Sequence, residues 1–434
     1  MKKNIKKIVY LSLSAELIHN GIMNIIKQAN KYGNLTVGLL TDKAIGEYKT
    51  IPLMDYEQRL NILKNIKNIK KIIPQEKWDA SENLKKIKPD YVIHGDDWKV
   101  GIQKKIRQKI ITVLKKWKGK LIEIPYTKNI STTLIHEKIK TELFSNNSRV
   151  SRLARLFKSK KLVKIIESHS ALTGLIIENL KIIKNNTNHE FDGMWSSSLT
   201  DSTLKGKPDN QSVDYSSRIL NLNEIMNVTT KPVIFDADNG GRLEHISYLV
   251  NSLERSGVSA IIIEDKIGLK KNSLFKNQSG AKQDSIKDFS KKINKATQAR
   301  KSNDFLIIAR IESFILEKGL NDALKRAEAY SRAGADAILI HSKKENPKEI
   351  FSFSRKFIKN KYFKPLVAVP STYSKTKEIE LEKNNFKMII YANQLLRSSY
   401  PAMVDTAKSI LINKRSFETE KKISSVNEIL NLIK

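Results

Sequence analysis

The chain has 434 residues, of which 40% are hydrophobic and 29% are charged, a composition that excludes an intrinsically disordered protein and suits two folded domains. It contains no cysteine, which excludes disulfides, thiolate metal sites and cysteine nucleophiles and fits a cytoplasmic location. No segment approaches the roughly 18 apolar residues of a membrane span. We interpret the basic start "MKKNIKKIVYLSLSAEL" as a strand leading into a helix and not as a signal peptide.

The net charge of +34, from 79 basic and 45 acidic residues, would suit a nucleic-acid-binding protein. However, the excess is spread over both halves of the chain. Neither an arginine-rich arm nor an alternation of aromatic and basic residues is present. We therefore predict a generally basic surface that binds neither nucleic acid nor a membrane.

Residues 1–140 alternate between strand and helix patterns. The predicted strands are "KIVYLSLS", "LTVGLLTD", "KKIIP", "PDYVIHGD" and "GKLIEIPY". The predicted helices are "HNGIMNIIKQANKYG" and "YEQRLNILKNIK", with "ISTTLIHEKIK" starting a last one. Strands separated by single helices predict a Rossmann-like, doubly wound parallel sheet with its site at the carboxyl ends of the strands.

Residues 141–166 contain a polar break followed by a basic amphipathic helix, and we expect them to link two domains. From 167 to 434 we predict eight strands: "ALTGLIIENL", "GMWSSSL", "KPVIFDAD", "VSAIIIED", "FLIIARIES", "DAILIHS", "PLVAVPS" and "KMIIYAN". Helical patterns separate most of them. Eight strand–helix units predict an α/β fold of the (β/α)8 TIM-barrel type, with chemistry at the carboxyl ends of the strands.

Acidic side chains follow two neighbouring strands of the predicted barrel. Asp236 and Asp238 end one strand, and Glu264 and Asp265 end the next. Single acids at such positions are often helix caps, but several at one rim repel each other unless a cation compensates. Carboxylates with water suit a hard cation, so this rim is predicted to bind Mg2+ or Mn2+.

Cationic and neutral polar side chains follow the other strands. Arg310 interrupts an apolar strand, where its planar fork would suit a phosphate or a carboxylate, the alternative being an ion pair with Glu312 or Glu264. His341 is either a donor to a substrate or a core histidine, and Asn393 ends the eighth strand. With the lysine-rich loop after residue 265, these residues predict a pocket for a small, strongly anionic substrate and favour phosphoryl chemistry.

The motifs "WSSSLTDSTLKGKPD", "VIFDADNGG", "IIIEDKIGLKKNSLF", "LIIARIES" and "LIHSKK" together resemble the phosphoenolpyruvate mutase family of the isocitrate lyase superfamily. The resemblance covers roughly residues 165–425. It implies a (β/α)8 barrel whose last helix is exchanged between the subunits of a homodimer or homotetramer. It also implies the Mg2+-dependent interconversion of phosphoenolpyruvate and phosphonopyruvate, the entry step to phosphonate biosynthesis.

The same resemblance assigns roles residue by residue. The implied metal ligands are Asp236 directly and, through water, Asp238, Glu264 and Asp209. The substrate's carboxylate and enolate end would lie against Trp195, Ser197, Ser198 and Leu199. The phosphoryl group would be held by Arg310, His341 and Asn272, with Asp209 beside it and Lys270 on a loop that closes over the pocket.

These motifs argue against one related activity and leave another open. The carbon–carbon lyases of the superfamily use a cysteine in a "KCGH"-type loop, and this chain has no cysteine. Phosphonopyruvate hydrolase shares nearly all of the implied residues, so it stays an alternative to the mutase.

The amino-terminal segment resembles the cytidylyltransferases, through "LSAELIHNGIMNII", "YEQRLNIL", "PDYVIHGDDWK" and "NISTTLI". The resemblance implies a CTP site. Its nucleotide-binding residues would be His19, Gly21, Arg59, Asp96, Ser131 and Thr132.

Two departures from that pattern affect the implied CTP site. Ile22 stands where the HxGH signature has its second histidine, a change expected to cost on the order of 100-fold in transfer rate. Tyr126, Thr127 and Lys128 precede "ISTT", where the family has an arginine. We expect retained nucleotide binding or a structural role, and a second, bifunctional activity is the alternative.

Overall fold

The computed structural model describes residues 7–48, 51–99, 103–125, 146–184, 187–275 and 277–433. They form two α/β units, an amino-terminal sheet and a barrel. In the part of the chain so described, no helix combines the length and apolarity needed to cross a membrane.

The amino-terminal unit is a five-stranded parallel sheet with the spatial order third, second, first, fourth, fifth. Its strands are Ile8–Leu13, Asn34–Leu40, Ile69–Gln75, Tyr91–Gly95 and Lys120–Ile124. Its helices are Asn20–Ala29, Asp42–Gly46, Tyr56–Lys64, Ser81–Ile87 and Gln103–Lys115, with a 3-10 turn at Asp96–Lys99. The predicted doubly wound sheet is confirmed. The predicted helix from "ISTT" lies outside the described residues.

The second unit is a closed barrel in which eight strands pair in parallel and in chain order. The strands are Val163–Glu167, Gly193–Ser196, Val233–Asp236, Ala260–Glu264, Leu306–Ile311, Ala337–Ile340, Leu366–Ala368 and Phe386–Tyr391. Two short antiparallel pairs join Ile182–Lys184 to Thr187–His189 and Lys266–Ile267 to Lys282–Gln283. The predicted (β/α)8 architecture is confirmed.

Helices cover the outside of the barrel and continue beyond its last strand. Those before the last strand are Ala171–Asn179, Ser198–Leu204, Tyr215–Asn227, Ile246–Arg255, Ile286–Ala299, Gly319–Arg332, Lys348–Phe357 and Glu378–Lys383. Gln394–Asn413, Phe417–Glu420 and Val426–Leu430 follow it. Within this single chain no residue of Gln394–Asn413 is buried, and Tyr400, Met403, Leu411 and Ile412 are exposed. An exchange of this helix between subunits stays a prediction.

One predicted strand is wrong. "ALTGLIIENL" forms the helix Ala171–Asn179, because Ser170 and Thr173 make a capping box that starts a helix. The first barrel strand is instead Val163–Glu167, which lies largely inside the segment 141–166 expected to be linker. The strand thus places part of that segment in the barrel, and the exact domain bounds stay a prediction.

The helix Asn146–Ser159, here named the plug helix, closes the amino-terminal end of the barrel. Its Leu153, Ala154 and Leu156 pack against the residues that point into the barrel. Arg149 Nη2 donates to the carbonyl oxygens of Met226 (3.0 Å) and Thr229 (2.9 Å), which precede the third strand. The end of the barrel opposite the plug helix is therefore left for a pocket.

Candidate active site

The alternation of side chains along the barrel strands decides which polar residues enter the pocket. Residues two apart on a strand point to the same side, and the inward positions are mostly apolar in the lower layers. At the carboxyl end the same inward rows finish in polar residues. These are Asp236 after Ile234, Glu264 after Ile262, Arg310 after Ile308 and His341 after Leu339.

Three of the four carboxylates implied as metal ligands lie at this rim and are almost fully buried, with exposures of 4% for Asp236, 3% for Asp238 and 2% for Glu264. Asp236 Oδ1 accepts from the backbone N–H of Asp238 at 3.1 Å, and Asp236 Oδ2 accepts from Ser198 Oγ at 3.1 Å. Asp238 adopts a left-handed backbone (φ 51°), which turns its carboxylate back toward the pocket.

Positive charge surrounds these acids. Lys270 Nζ lies 3.0 Å from Asp209 Oδ1 and also contacts Asp238 Oδ1 and Ser198 Oγ. Burial would raise the pKa of Asp236, but the charges of Lys270, Arg310 and Arg218 hold it below its ordinary value. Burial raises the pKa of Glu264 to about 7, although Arg310 and Lys266 oppose the shift. Of Asp236 and Glu264, Asp236 is therefore the carboxylate more ready to bind a cation directly.

The donor set fits a hard cation held largely through water. All three acids offer oxygen ligands, as Mg2+ prefers. Over the described residues, no three acidic or histidine side chains come close enough together to hold one ion by themselves. One direct carboxylate with water-mediated neighbours is compatible with both observations.

Arg310 and His341 form the second half of the pocket, beside Glu312. Arg310 Nε donates to Glu312 Oε1 at 2.6 Å, and its Nη2 lies 3.4 Å from Glu264 Oε2 and 3.1 Å from His341 Nδ1. The ion pairs weighed as an alternative for Arg310 are thus present. Burial, followed by the charge of Arg310, lowers the pKa of His341, so this imidazole is neutral at pH 7.

The loop between the antiparallel strands Lys266–Ile267 and Lys282–Gln283, described at residues 268–275 and 277–281 and here named the lid, covers the pocket. Asn272 Nδ2 donates to Asp209 Oδ2 at 2.8 Å, so the lid brings Asn272 and Lys270 onto Asp209, while their roles stay predictions. Gly268 (φ +79°) and Gly280 (φ +80°) near the ends of the lid have the left-handed backbone that glycine adopts without strain. These glycines are suited to act as hinges.

The predicted substrate-binding residues follow the second strand. Trp195 is an inward residue at its end, and Ser197 and Ser198 are buried where the helix Ser198–Leu204 begins. Leu199 lies in the first turn of that helix and is partly exposed. The Trp195 Nε1 atom is among the buried polar atoms that have no hydrogen-bond partner within the described chain.

Comparisons with known proteins decide the family. The family model described as "Phosphoenolpyruvate phosphomutase" matches residues 153–411, which is more than half of the chain. The chain belongs to the phosphoenolpyruvate phosphomutase family of enzymes.

Three relatives in this family are particularly similar. A phosphoenolpyruvate phosphomutase from Tetrahymena pyriformis is 34% identical over 291 residues, which are 67% of this chain and 92% of the relative. A solved phosphoenolpyruvate phosphomutase from Streptomyces platensis subsp. rosaceus superposes with a TM-score of 0.60 and 32% identity, covering 65% of this chain and 94% of the other. A phosphonopyruvate hydrolase solved with oxalate and Mg2+ gives a TM-score of 0.58 and 30% identity over the same shares.

Within this phosphomutase-family pocket, the sequence motifs assign no role to several polar residues. Ser273 and Lys266 surround Arg310 together with Glu312, which was considered only as an ion-pair partner, and Arg218 lies beneath Asp238. At the end of the first strand, Glu167 is buried and its carboxylate contacts the His169 ring. Side chains two apart on a strand face the same way, so the alternation along "LIIARIE" and "VKIIE" predicts that Glu312 and Glu167 point into the barrel.

The same counting removes Asp265 from the pocket. Asp265 lies one position after Glu264, so it points outward, toward the helices. Its Oδ2 accepts from Tyr330 Oη at 2.8 Å and from Arg326 Nη1 at 3.2 Å. Asp265 therefore joins the barrel wall to its helix and does not face a ligand.

The amino-terminal unit matches the family model described as "Cytidylyltransferase-like" over residues 14–138. His19 caps the first helix, with Nδ1 accepting from the backbone N–H of Gly21 at 3.1 Å. Asp96 starts the 3-10 turn after the fourth strand, and Ser131 and Thr132 lie outside the described residues.

Arg59 lies in a setting that the sequence did not indicate. It is completely buried, with Nη2 donating to Asp42 Oδ1 at 2.7 Å, Nε donating to the Met54 carbonyl at 3.3 Å and Nη1 contacting the Ser14 carbonyl. These bonds engage all three guanidinium nitrogens, which makes Arg59 a support for neighbouring loops. The binding of CTP stays a prediction.

Proposed function

We propose that this chain is a phosphoenolpyruvate mutase, an isomerase that interconverts phosphoenolpyruvate and phosphonopyruvate and starts a route to phosphonates. In the forward direction the bond from phosphorus to the enol oxygen breaks, and a bond from phosphorus to the methylene carbon forms. The reaction neither takes up nor releases water or a proton. A site for it must therefore hold an anionic enolate and a phosphoryl group in one water-free space.

The observation that carries this proposal is the contact of the lid with Asp209, on the loop after the helix Ser198–Leu204. Lys270 and Asn272 reach Asp209, and the Lys270 and Asp209 side chains are only 6% and 5% exposed. A lid that buries its own ammonium group beside the predicted reaction centre is suited to exclude water. This contact supports a mutase over the phosphonopyruvate hydrolase alternative, which must admit a water molecule.

The metal in this proposal is Mg2+, with Mn2+ as the alternative. Asp236 would bind it directly, and Asp238, Glu264 and Asp209 would hold its waters. When bound, the ion would offset the negative charge of the substrate's carboxylate and enolate oxygens. The related hydrolase solved with oxalate and Mg2+ supports the choice of metal.

The chain's own residues would do the rest. Ser197, Ser198 and the Leu199 backbone would bind the carboxylate and enolate end, against the face of Trp195. Arg310 would hold the phosphoryl oxygens as the group changes partners. His341 Nδ1 lies 3.1 Å from Arg310 Nη2 and 3.3 Å from Glu312 Oε1. In the tautomer whose Nδ1 accepts from Arg310, the ring proton is on Nε2, from which His341 would donate to the phosphoryl group.

Phosphorus NMR of the purified protein with phosphonopyruvate and Mg2+ tests this function. We expect a new phosphate-ester signal at the position of phosphoenolpyruvate. Free phosphate and pyruvate without any ester would identify a hydrolase instead. An unchanged phosphonate signal would refute both activities.

A further inference from the structure

Ser273 of the lid is buried against the barrel. It is 3% exposed and is the sole buried residue among the lid positions that the structure describes. The next two residues, Leu274 and Phe275, are exposed. Because buried polar groups are normally hydrogen-bonded, a buried serine hydroxyl in this loop is expected to have specific partners.

Three charged groups meet the Ser273 hydroxyl. Arg310 Nη2 and Lys266 Nζ each donate to Ser273 Oγ at 2.9 Å, and Ser273 Oγ donates to Glu312 Oε2. A hydroxyl has one hydrogen to donate and two lone pairs to accept, so its capacity is filled. Hydrogen bonds to charged groups are the strong ones, and here all three are of that kind.

Lys266 holds the lid at a second point. Its Nζ donates to the Lys271 carbonyl at 2.7 Å and lies 3.5 Å from Glu312 Oε2. Lys266 is on the first strand of the pair that carries the lid, so it bridges the lid's base and its buried serine. We name Ser273, Lys266 and Glu312 the latch.

The latch shares Arg310 with the proposed phosphoryl site. Ser273 and Glu312 fix the Nη2 and Nε atoms of Arg310, respectively, at the lid side of the pocket. Lid closure and the orientation of the guanidinium are therefore set by the same hydrogen bonds. Loss of the serine hydroxyl would remove one of the bonds that hold the lid and, at the same time, one of the bonds that orient Arg310 Nη2.

We propose that Ser273 is a positioning residue that latches the lid onto the Arg310–Glu312 pair and thereby decides whether the phosphoryl group is transferred within the substrate or to water. The proposal rests on the proposed mutase function. In the competing reaction a water oxygen bonds to phosphorus as the carbon–phosphorus bond of phosphonopyruvate breaks. The methylene carbon then takes up a proton, and the products are phosphate and pyruvate.

The test compares Ser273→Ala with Ser279→Ala, an exposed serine of the same lid. Phosphorus NMR gives the ratio of phosphate to phosphoenolpyruvate formed from phosphonopyruvate and Mg2+. Hydrogen exchange of peptides spanning residues 268–281 gives lid opening without any need for turnover. We expect Ser273→Ala to raise both the product ratio and the lid exchange rate about ten-fold or more, as loss of hydrogen bonds to charged groups predicts, with Ser279→Ala unchanged.

Each of the other outcomes refutes one part of the proposal: the latch, its control of water, or the mutase function on which it rests. Unchanged lid exchange in Ser273→Ala refutes the latch, and faster exchange with an unchanged product ratio refutes its control of water. If the wild-type protein converts no phosphonopyruvate, or yields phosphate alone, the proposed function and the partition fail, but lid exchange still decides the latch. If exchange in the barrel strands shows that Ser273→Ala is misfolded, Lys266→Met removes the latch from its other side and must show the same two increases.

Discussion

Replacing Arg218 by methionine should destabilise the barrel far more than replacing an exposed arginine. Arg218 is 1% exposed, and its Nε donates to Asp201 Oδ2 at 2.8 Å, while its Nη1 lies 3.4 Å from Asp238 Oδ2. The guanidinium carbon also lies 4.3 Å from the centre of the Phe235 ring. Arg218→Met leaves Asp201 buried as a carboxylate without its cation.

Breaking a buried ion pair by removing one partner costs about 3–5 kcal/mol. With a urea dependence of about 3 kcal/mol per molar, the unfolding midpoint should fall by about 1 M or more. The matched control is Arg415→Met, because Arg415 pairs with Glu418 and its side chain is 66% exposed. That change should cost about 0–1 kcal/mol.

Urea titrations followed by circular dichroism measure both midpoints. Adding Asp201→Asn to Arg218→Met should recover part of the loss, because the unpaired charge is then removed as well. A midpoint for Arg218→Met that matches that of Arg415→Met would refute the reasoning. It would mean that the Asp201 carboxylate is satisfied without the arginine.

Four further predictions concern the two sites and the plug helix. Asp236→Ala should abolish metal-dependent turnover and remove Mg2+ binding measured by calorimetry, and retained binding would contradict its role as the direct ligand. Asp209→Ala should abolish turnover while leaving the circular dichroism spectrum and melting temperature unchanged, and loss of the folded spectrum would make Asp209 a structural residue. Leu153→Ala in the plug helix should cost about 2–5 kcal/mol in urea unfolding, whereas Leu220→Ala on an exposed position should cost under about 0.5 kcal/mol, and equal costs would contradict the packing of the plug. Ile22→His should raise pyrophosphate release from CTP and a phosphonate by on the order of 100-fold over the wild type, and no rise would mean that the missing imidazole is not the limiting defect.

Much of the architecture could be predicted from the sequence, because apolar residues recur with a period of about 2 in strands and about 3.6 in helices. Seven of the eight barrel strands were located, and the error at "ALTGLIIENL" has a physical cause. A run of apolar residues is compatible with a buried strand or a buried helix, and only the capping box at Ser170 and Thr173 separates them. The true strand, Val163–Glu167, follows a lysine-rich stretch that favoured a linker instead.

Pocket residues could be predicted where they occupy the last inward-facing position of a barrel strand. Asp236, Glu264, Arg310 and His341 satisfy that rule. Ser273 does not, because its burial depends on how a loop folds back over the rim. The burial of Arg59 could not be predicted either. Its partner Asp42 belongs to another element, and only the tertiary fold brings the two side chains together.

The plug helix also determines where the amino-terminal unit is attached. Ile51 of that unit packs in the same apolar cluster as Leu153, and Arg155 of the plug helix contacts the Leu53 carbonyl and lies 3.7 Å from Asp42. The amino-terminal unit is thus anchored at the closed end of the barrel, away from the lid. If the barrel works as proposed, a phosphonate that leaves the rim would have to diffuse through solvent before it met the cytidylyltransferase-like unit of its own chain. The fusion would then fix the stoichiometry of the two units without a direct path between them, and a freely added competitor should intercept the intermediate.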